Sequence, residues 1–239
     1  MSMKKPSNKD PLPVAEPRAQ HSRRQFLQVA GGAGLLVAGL ASCRKYFDYP
    51  HGGGGGNGKI IDLGKGDIGI LNYAYALEQL EAAFYTKVIM HPYDGIKDKE
   101  KWLLTDIRDH EIAHREFFKN ALGSNAIPDL EVNFSSISFS SRDSVLATAK
   151  AFEDLGVSAY NGAGKLIVTP DYLTIAGKIV SVEARHAAYI RDLISNGSFA
   201  DSTVIDANGL DKSNTPPDVL NIANTYLKTK VSGKNLPTS

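Results

Sequence analysis

Four long stretches of the chain carry apolar residues at helical spacing. The first spans residues 67–90, with Ile70, Leu71, Ala74, Leu77, Leu80, Ala82 and Phe84 as its apolar positions; Asp67 reads as its N-cap, and His91-Pro92 ends it. The second spans 98–122, with Trp102, Leu103, Ile107, Phe117 and Phe118, and Gly123 as its stop. The third spans 141–168, opened by Ser140 or Ser141 with Asp143 in the first turn. The fourth opens at Thr169-Pro170 and runs to Ser195, before Asn196-Gly197. A shorter helix is expected over 217–228.

Between the second and third helices, PDLEVNFSSISFSS has mixed strand and turn character. A long crossover there lets the third helix lie parallel to the second. Residues 198–215 read as irregular. The expected architecture is all-α: a four-helix bundle with one long crossover and a short C-terminal helix over 62–230, followed by a disordered tail over 231–239. Gly162 and Gly164 fall inside the third helix, where glycine either weakens the helix or permits close packing.

One sparse pattern is written twice. ALEQLEAAFY (76–85) and AFEDLGVSAY (151–160) share Ala, Glu, Leu and Tyr at the same places. Each Glu precedes its Tyr by seven residues, close to two helical turns, so Glu78 shares a face with Tyr85, and Glu153 with Tyr160. Both carboxylates sit among Leu, Phe and Ala. A buried carboxylate is costly unless it is paired, protonated or bound to metal.

The other two helices carry HEIAH, with Glu111 and His114, and VEARH, with Glu183 and His186. Residues three apart are neighbours on a helix surface. The order along the chain is therefore Glu, Glu-x-x-His, Glu, Glu-x-x-His, one element per helix. That is the ligand order of dinuclear iron or manganese carboxylate sites in helical bundles. One Glu-x-x-His alone marks a solvated helix face more often than a site, and the two tyrosines taken singly read as core aromatics. The conjunction carries the metal reading, and the duplication reads as a pseudo-twofold site. Glu78 and Glu153 are expected as terminal ligands, Glu111 and Glu183 as bridges, and His114 and His186 as nitrogen ligands. Four carboxylates offset the charge of two divalent ions.

Tyr85, Tyr160 and His110 are candidates for supporting the ligands from outside. Asp109 and Glu116 flank the second motif without an assigned role. Glu81 is a third acidic position on the first helix, but it aligns with Gly156 in the repeat, so the repeat does not require it. Asp154 is expected to be solvated.

These segments, with GVSAYNGAGKLI (156–167), resemble the bacterial ferritin-like domain proteins grouped with plant desiccation-related proteins. The resemblance covers about residues 62–230. It implies a ferritin-like fold and a dinuclear site of iron or manganese held by Glu78, Glu111, His114, Glu153, Glu183 and His186. It implies no single activity.

The chain has 239 residues, a formal charge of +1 and 22% charged residues, and no basic cluster of the kind that binds nucleic acid. Cys43 is the only cysteine, which excludes an intrachain disulfide, cysteine-ligated zinc and the iron module of a rubrerythrin. It ends an apolar Gly- and Ala-rich run that begins after SRRQFL. Arg23 and Arg24 resemble a twin-arginine export signal, and LASC (40–43) resembles a lipobox whose cysteine is lipidated. Residues 1–42 are thus expected as signal and 43–61, with HGGGGGNG, as a flexible tether. Loss of 1–42 leaves 21 basic and 24 acidic residues, a net charge of −3.

These features point to a lipid-anchored protein on the periplasmic side of a bacterial envelope. Metal ions and oxygen or peroxide are its expected partners, the membrane is met through the anchor, and a homodimer is left open. An anchored subunit on a glycine tether fits a closed storage cage poorly. The competing reading is a non-enzymatic bundle that protects against drying or stress, or that buffers metal.

Overall fold

A computed structural model describes residues 60–238. The candidate signal, with Arg23, Arg24 and Cys43, and the tether up to residue 59 lie outside the described residues. Among the described residues, no helix is long and apolar enough to cross a membrane.

Four long helices form the fold: α1 (Gly66–Met90), α2 (Asp98–Leu122), α3 (Arg142–Gly164) and α4 (Pro170–Ile194). A short α5 (Pro216–Ala223) follows and continues as a 3-10 turn over Asn224–Tyr226. The architecture is the expected all-α bundle. Short connections over 91–97 and 165–169 make α1 with α2, and α3 with α4, two closely packed helix pairs.

Helix α1 is the central element. Every residue from 69 to 82 is buried, so its polar positions must find partners inside. Asn72 and Gln79, two turns apart, meet the long crossover. Asn72 donates to Leu63 O and Asn125 O and accepts from Ile127 N, and Gln79 accepts from Leu130 N. The crossover's own apolar residues anchor it too: Phe134 and Phe139 pack on Phe84, which also meets Phe152 of α3 edge-on.

Several local expectations change. The first helix starts at Gly66 after Lys65, and Asp67 caps a different helix: its two oxygens accept from Val168 N and Thr169 N at the start of α4. Ser141 caps α3 as expected, accepting from Ser144 N. Helix α3 stops at Gly164, four residues short of Val168, because Lys165 to Ile167 turn to lead into Pro170. Gly162 serves close packing: a Cβ there would lie 1.7 Å from Asn214 O, and Asn214 N donates to Ser158 O. Trp102, read as a helix-packing position, is 69% exposed.

The tail expected to be disordered is ordered in its described part. Val231–Ser232 (β2) pairs in parallel with Ile61–Asp62 (β1), and Leu236 packs into the core. Asp154 is not a solvated bystander. It takes a forked pair of hydrogen bonds from Arg191, which is 2% exposed, and pairs with Lys150.

Candidate metal centre

The helices bring all six predicted ligand residues into one cluster at the bundle centre. Glu78, Glu111, Glu153 and Glu183 are fully buried, and His186 is buried beside them. His114 keeps 14% of its side chain exposed.

The contacts repeat about a pseudo-twofold axis. His114 Nδ1 lies 2.8 Å from Glu183 Oε1 and 3.5 Å from Glu78 Oε2. His186 Nδ1 lies 2.8 Å from Glu111 Oε1 and 3.5 Å from Glu153 Oε2. Each imidazole thus faces the Glu of the opposite Glu-x-x-His motif. As numbering rises from 111 to 114 along α2, its partner on α4 falls from 186 to 183, so these two helices run antiparallel.

The tyrosines complete the exchange. Tyr85 OH donates to Glu153 Oε1 at 2.5 Å, and Tyr160 OH donates to Glu78 Oε1. Each Glu-Tyr pair does share a face, but seven residues is about 10.5 Å along a helix, too far for contact within one. Each tyrosine serves the carboxylate of the neighbouring helix, which shows that α1 and α3 are antiparallel. Helices α2 and α3 are therefore parallel, as the long crossover implies. Burial first, and then the facing carboxylate, push both phenols well above their ordinary range, so they stay protonated donors.

Partner accounting separates the carboxylates into two kinds. Glu78 and Glu153 each have one oxygen held by a tyrosine and one, Oε2, without a hydrogen-bond partner. Glu111 and Glu183 have both oxygens without one, and so has Nδ1 of each histidine despite the short approaches. These atoms approach one another without hydrogen-bond alignment. A buried group left this way costs about 1–3 kcal/mol, and several together stand against a whole-protein stability of about 5–15 kcal/mol. The same atoms form two groups, each within 4.8 Å: Glu78, Glu111, His114 and Glu183 in one, and Glu111, Glu153, Glu183 and His186 in the other. Glu111 and Glu183 belong to both and have two free oxygens each, which is what a bridging carboxylate needs. Glu78 and Glu153 belong to one each and have one. Carboxylate oxygens with two imidazole nitrogens in such groups could hold metal ions.

The electrostatics agree. Burial, and then Glu183, push Glu111 well up, and the same two causes raise Glu78. Burial lifts Glu153 to about 7 against the pull of His186. Burial also opposes ionisation of Glu183, but contacts from His114 and His186 outweigh it and hold this carboxyl low. Burial would lower both histidines, yet the facing glutamates carry His114 to about 9 and His186 to about 12.

His110 sits where outside support was expected. Its Nδ1 is 2.9 Å from His186 Nε2, with the two rings 8° from parallel. If Nδ1 is to offer a lone pair to a cation, the proton sits on Nε2, which then donates to His110 Nδ1. Nε2 of His114 has no such partner among the described residues, so the site departs from twofold symmetry here.

Glu81, which the repeat does not require, is buried beside the same cluster. It is 4% exposed, and burial followed by Glu111, Glu183, Glu153 and Glu78 pushes it well above the ordinary range. Its carboxyl lies against Gly156, where a Cβ would come within 3.1 Å of Oε1. The alignment of Glu81 with Gly156 is the sequence signal: a side chain at position 156 would be in tight contact with the carboxyl at 81.

The family described as ferritin-like domain matches residues 66–196, more than half of the chain. No curated protein matches it.

Proposed function

The chain belongs to the ferritin-like domain family, and from that premise we propose that it is an exported, lipid-anchored protein whose buried cage holds two iron or manganese ions and reacts with oxygen or peroxide. The observation that carries this reading is the match between free oxygens and role: two on each of Glu111 and Glu183, which face both groups, and one on each of Glu78 and Glu153, which face one.

When bound, such a metal pair supplies electron exchange and Lewis acidity toward oxygen or peroxide. The chain's residues set the conditions. Glu111 and Glu183 would hold both ions, with Glu78 and His114 completing one position and Glu153 and His186 the other. Tyr160 and Tyr85 fix the outer oxygens of Glu78 and Glu153, leaving the inner oxygen of each aimed at the cage. His110 holds the tautomer of His186. Glu81 places a protonated carboxyl beside four others, within a shell of apolar side chains that excludes bulk water. Iron oxidation, peroxide removal and protection during drying are all uses open to such a centre. Location on the periplasmic side of a bacterial envelope is part of the proposal and is supported by the Arg23-Arg24 and Cys43 motifs.

The test is elemental analysis of the purified chain after growth with iron and manganese, beside a Glu111→Ala/Glu183→Ala variant. About two ions per chain are expected, with loss of both in the variant. A folded wild-type chain that takes up neither metal on reconstitution would leave the non-enzymatic protective bundle as the better reading.

A further inference from the structure

The pseudo-twofold relation between the two halves of the cage fails on the outer side of the histidines. His186 turns Nδ1 toward Glu111, and on its other edge Nε2 lies 2.9 Å from His110 Nδ1, with the two rings 8° from parallel. An outer partner of this kind fixes a ligating imidazole in place and strengthens its hold on a cation. His114 turns Nδ1 toward Glu183 in the same way, but among the described residues nothing does the same for its Nε2.

The sequence carries the same break. HEIAH (110–114) and VEARH (182–186) align Glu111 with Glu183 and His114 with His186, and they set Val182 where His110 stands. The counterpart of His110 behind His114 is therefore Val182, whose isopropyl group accepts no hydrogen bond. Solvent divides the halves in the same sense. The His114 side chain is 14% exposed and that of His186 5%, while the side chains of Glu78, Glu111, Glu153 and Glu183 are fully closed off. An ion from solution thus reaches the carboxylates most directly past His114.

We propose that the two metal positions are unlike: the one completed by Glu153 and His186 retains its ion, and the one completed by Glu78 and His114 exchanges a divalent ion with solution, so that a metal ion is taken there as substrate. His110 is a positioning residue for the first, acting through His186. This inference rests on the dinuclear reading and deepens it.

The test titrates the full chain, stripped of metal by chelation, with cobalt(II) against a competing chelator, read by cobalt absorption. Glu78→Ala leaves the His186 position whole and Glu153→Ala leaves the His114 position whole, so each variant reports one position. The ion held by Glu78→Ala is expected to bind about 10–100-fold more tightly than the ion held by Glu153→Ala. Adding His110→Phe should remove that advantage in the Glu78→Ala chain and change nothing in the Glu153→Ala chain. His110→Asn keeps an acceptor and should preserve the advantage. If either alanine variant does not fold, His110→Phe in the otherwise natural chain decides, because only the tighter of two binding steps should weaken. Equal affinities in the two alanine variants, the reverse order, a His110→Phe effect on both positions or on neither, or an equal loss in His110→Asn would overturn the proposal. A natural chain that binds two ions without this difference overturns this inference alone; one that binds none overturns the dinuclear reading with it.

Discussion

Glu81 points its carboxyl at Gly156, with Oε1 standing 3.1 Å from where a β-carbon on that residue would lie. Alanine favours a helix over glycine by about 1 kcal/mol, so Gly156→Ala should stabilise α3 wherever space allows. Here the new methyl meets Oε1 at 3.1 Å. Gly156→Ala is therefore expected to destabilise the natural chain and to stabilise a Glu81→Ala background. The coupling should be on the order of 1 kcal/mol, read from a double-mutant cycle by urea denaturation. Additive effects would show that the two residues do not compete for one space.

Tyr85→Phe and Tyr160→Phe each leave a buried carboxylate oxygen without its donor. Each should cost about 1–3 kcal/mol of stability and lower metal affinity about 10–100-fold. The two variants should behave alike, because their contacts are related by the pseudo-twofold. Isothermal unfolding with and without added metal measures both quantities, and a neutral effect of either variant would demote that hydroxyl to packing.

The shared and unshared carboxylates should differ in metal content. Glu78→Ala removes a residue from one group only, so about one ion per chain should remain; Glu111→Ala removes a residue from both, and both ions should go. Metal-to-protein ratios on the two purified variants check this. Equal losses would contradict the bridge and terminal assignment.

Chelated protein should lose stability as pH rises from 5 to 9. His114 titrates at about 9 when folded against an ordinary 6.5, so its contribution is present below 6.5 and disappears through 9. Glu153 titrates at about 7 against 4.5, so the folded chain holds that proton longer and stability declines between those values. Both slopes have the same sign. Metal competes with these protons, so the stabilisation gained on loading should grow with pH. Thermal melts at pH 5, 7 and 9, with and without metal, give the comparison; a melting temperature that climbs with pH in chelated protein would contradict it.

Export and anchoring are tested apart from the fold. Arg23→Lys with Arg24→Lys should hold the protein in the cytoplasm, and Cys43→Ala should release an exported chain from the membrane fraction. Cell fractionation reads both. Membrane association that survives Cys43→Ala would replace the lipid anchor with an uncleaved apolar segment.

Much of the bundle was legible because helical periodicity is a local property: α2 begins and ends at the expected residues. Glu78, Glu111, His114, Glu153, Glu183 and His186 could be picked out because two Glu-x-x-His steps and a duplicated Glu leave few arrangements in four helices. The misreadings involve partners distant in sequence. Asp67 looks like the cap of its own helix and caps α4 instead, about a hundred residues on. Tyr85 and Tyr160 lie on the right faces, but which carboxylate each serves depends on helix direction. Asp154 reads as solvated because Arg191, its partner in the fold, is not its neighbour in sequence. Glu81 is hidden from the repeat because a repeat displays what its halves share, and its counterpart position is Gly156.

The clip between β1 and β2 gives the domain a mechanical character. Ile61 N bonds to Lys230 O and Leu63 N to Ser232 O, so the chain leading into α1 is stitched to the chain's far end. A pull on the segment before residue 60 reaches these bonds before it reaches any helix. The strands are parallel, so bonds spaced along the clip share the load in shear. Tension would be borne at the rim of the fold, while the carboxylate cage on α1 to α4 stays unloaded until the clip gives way.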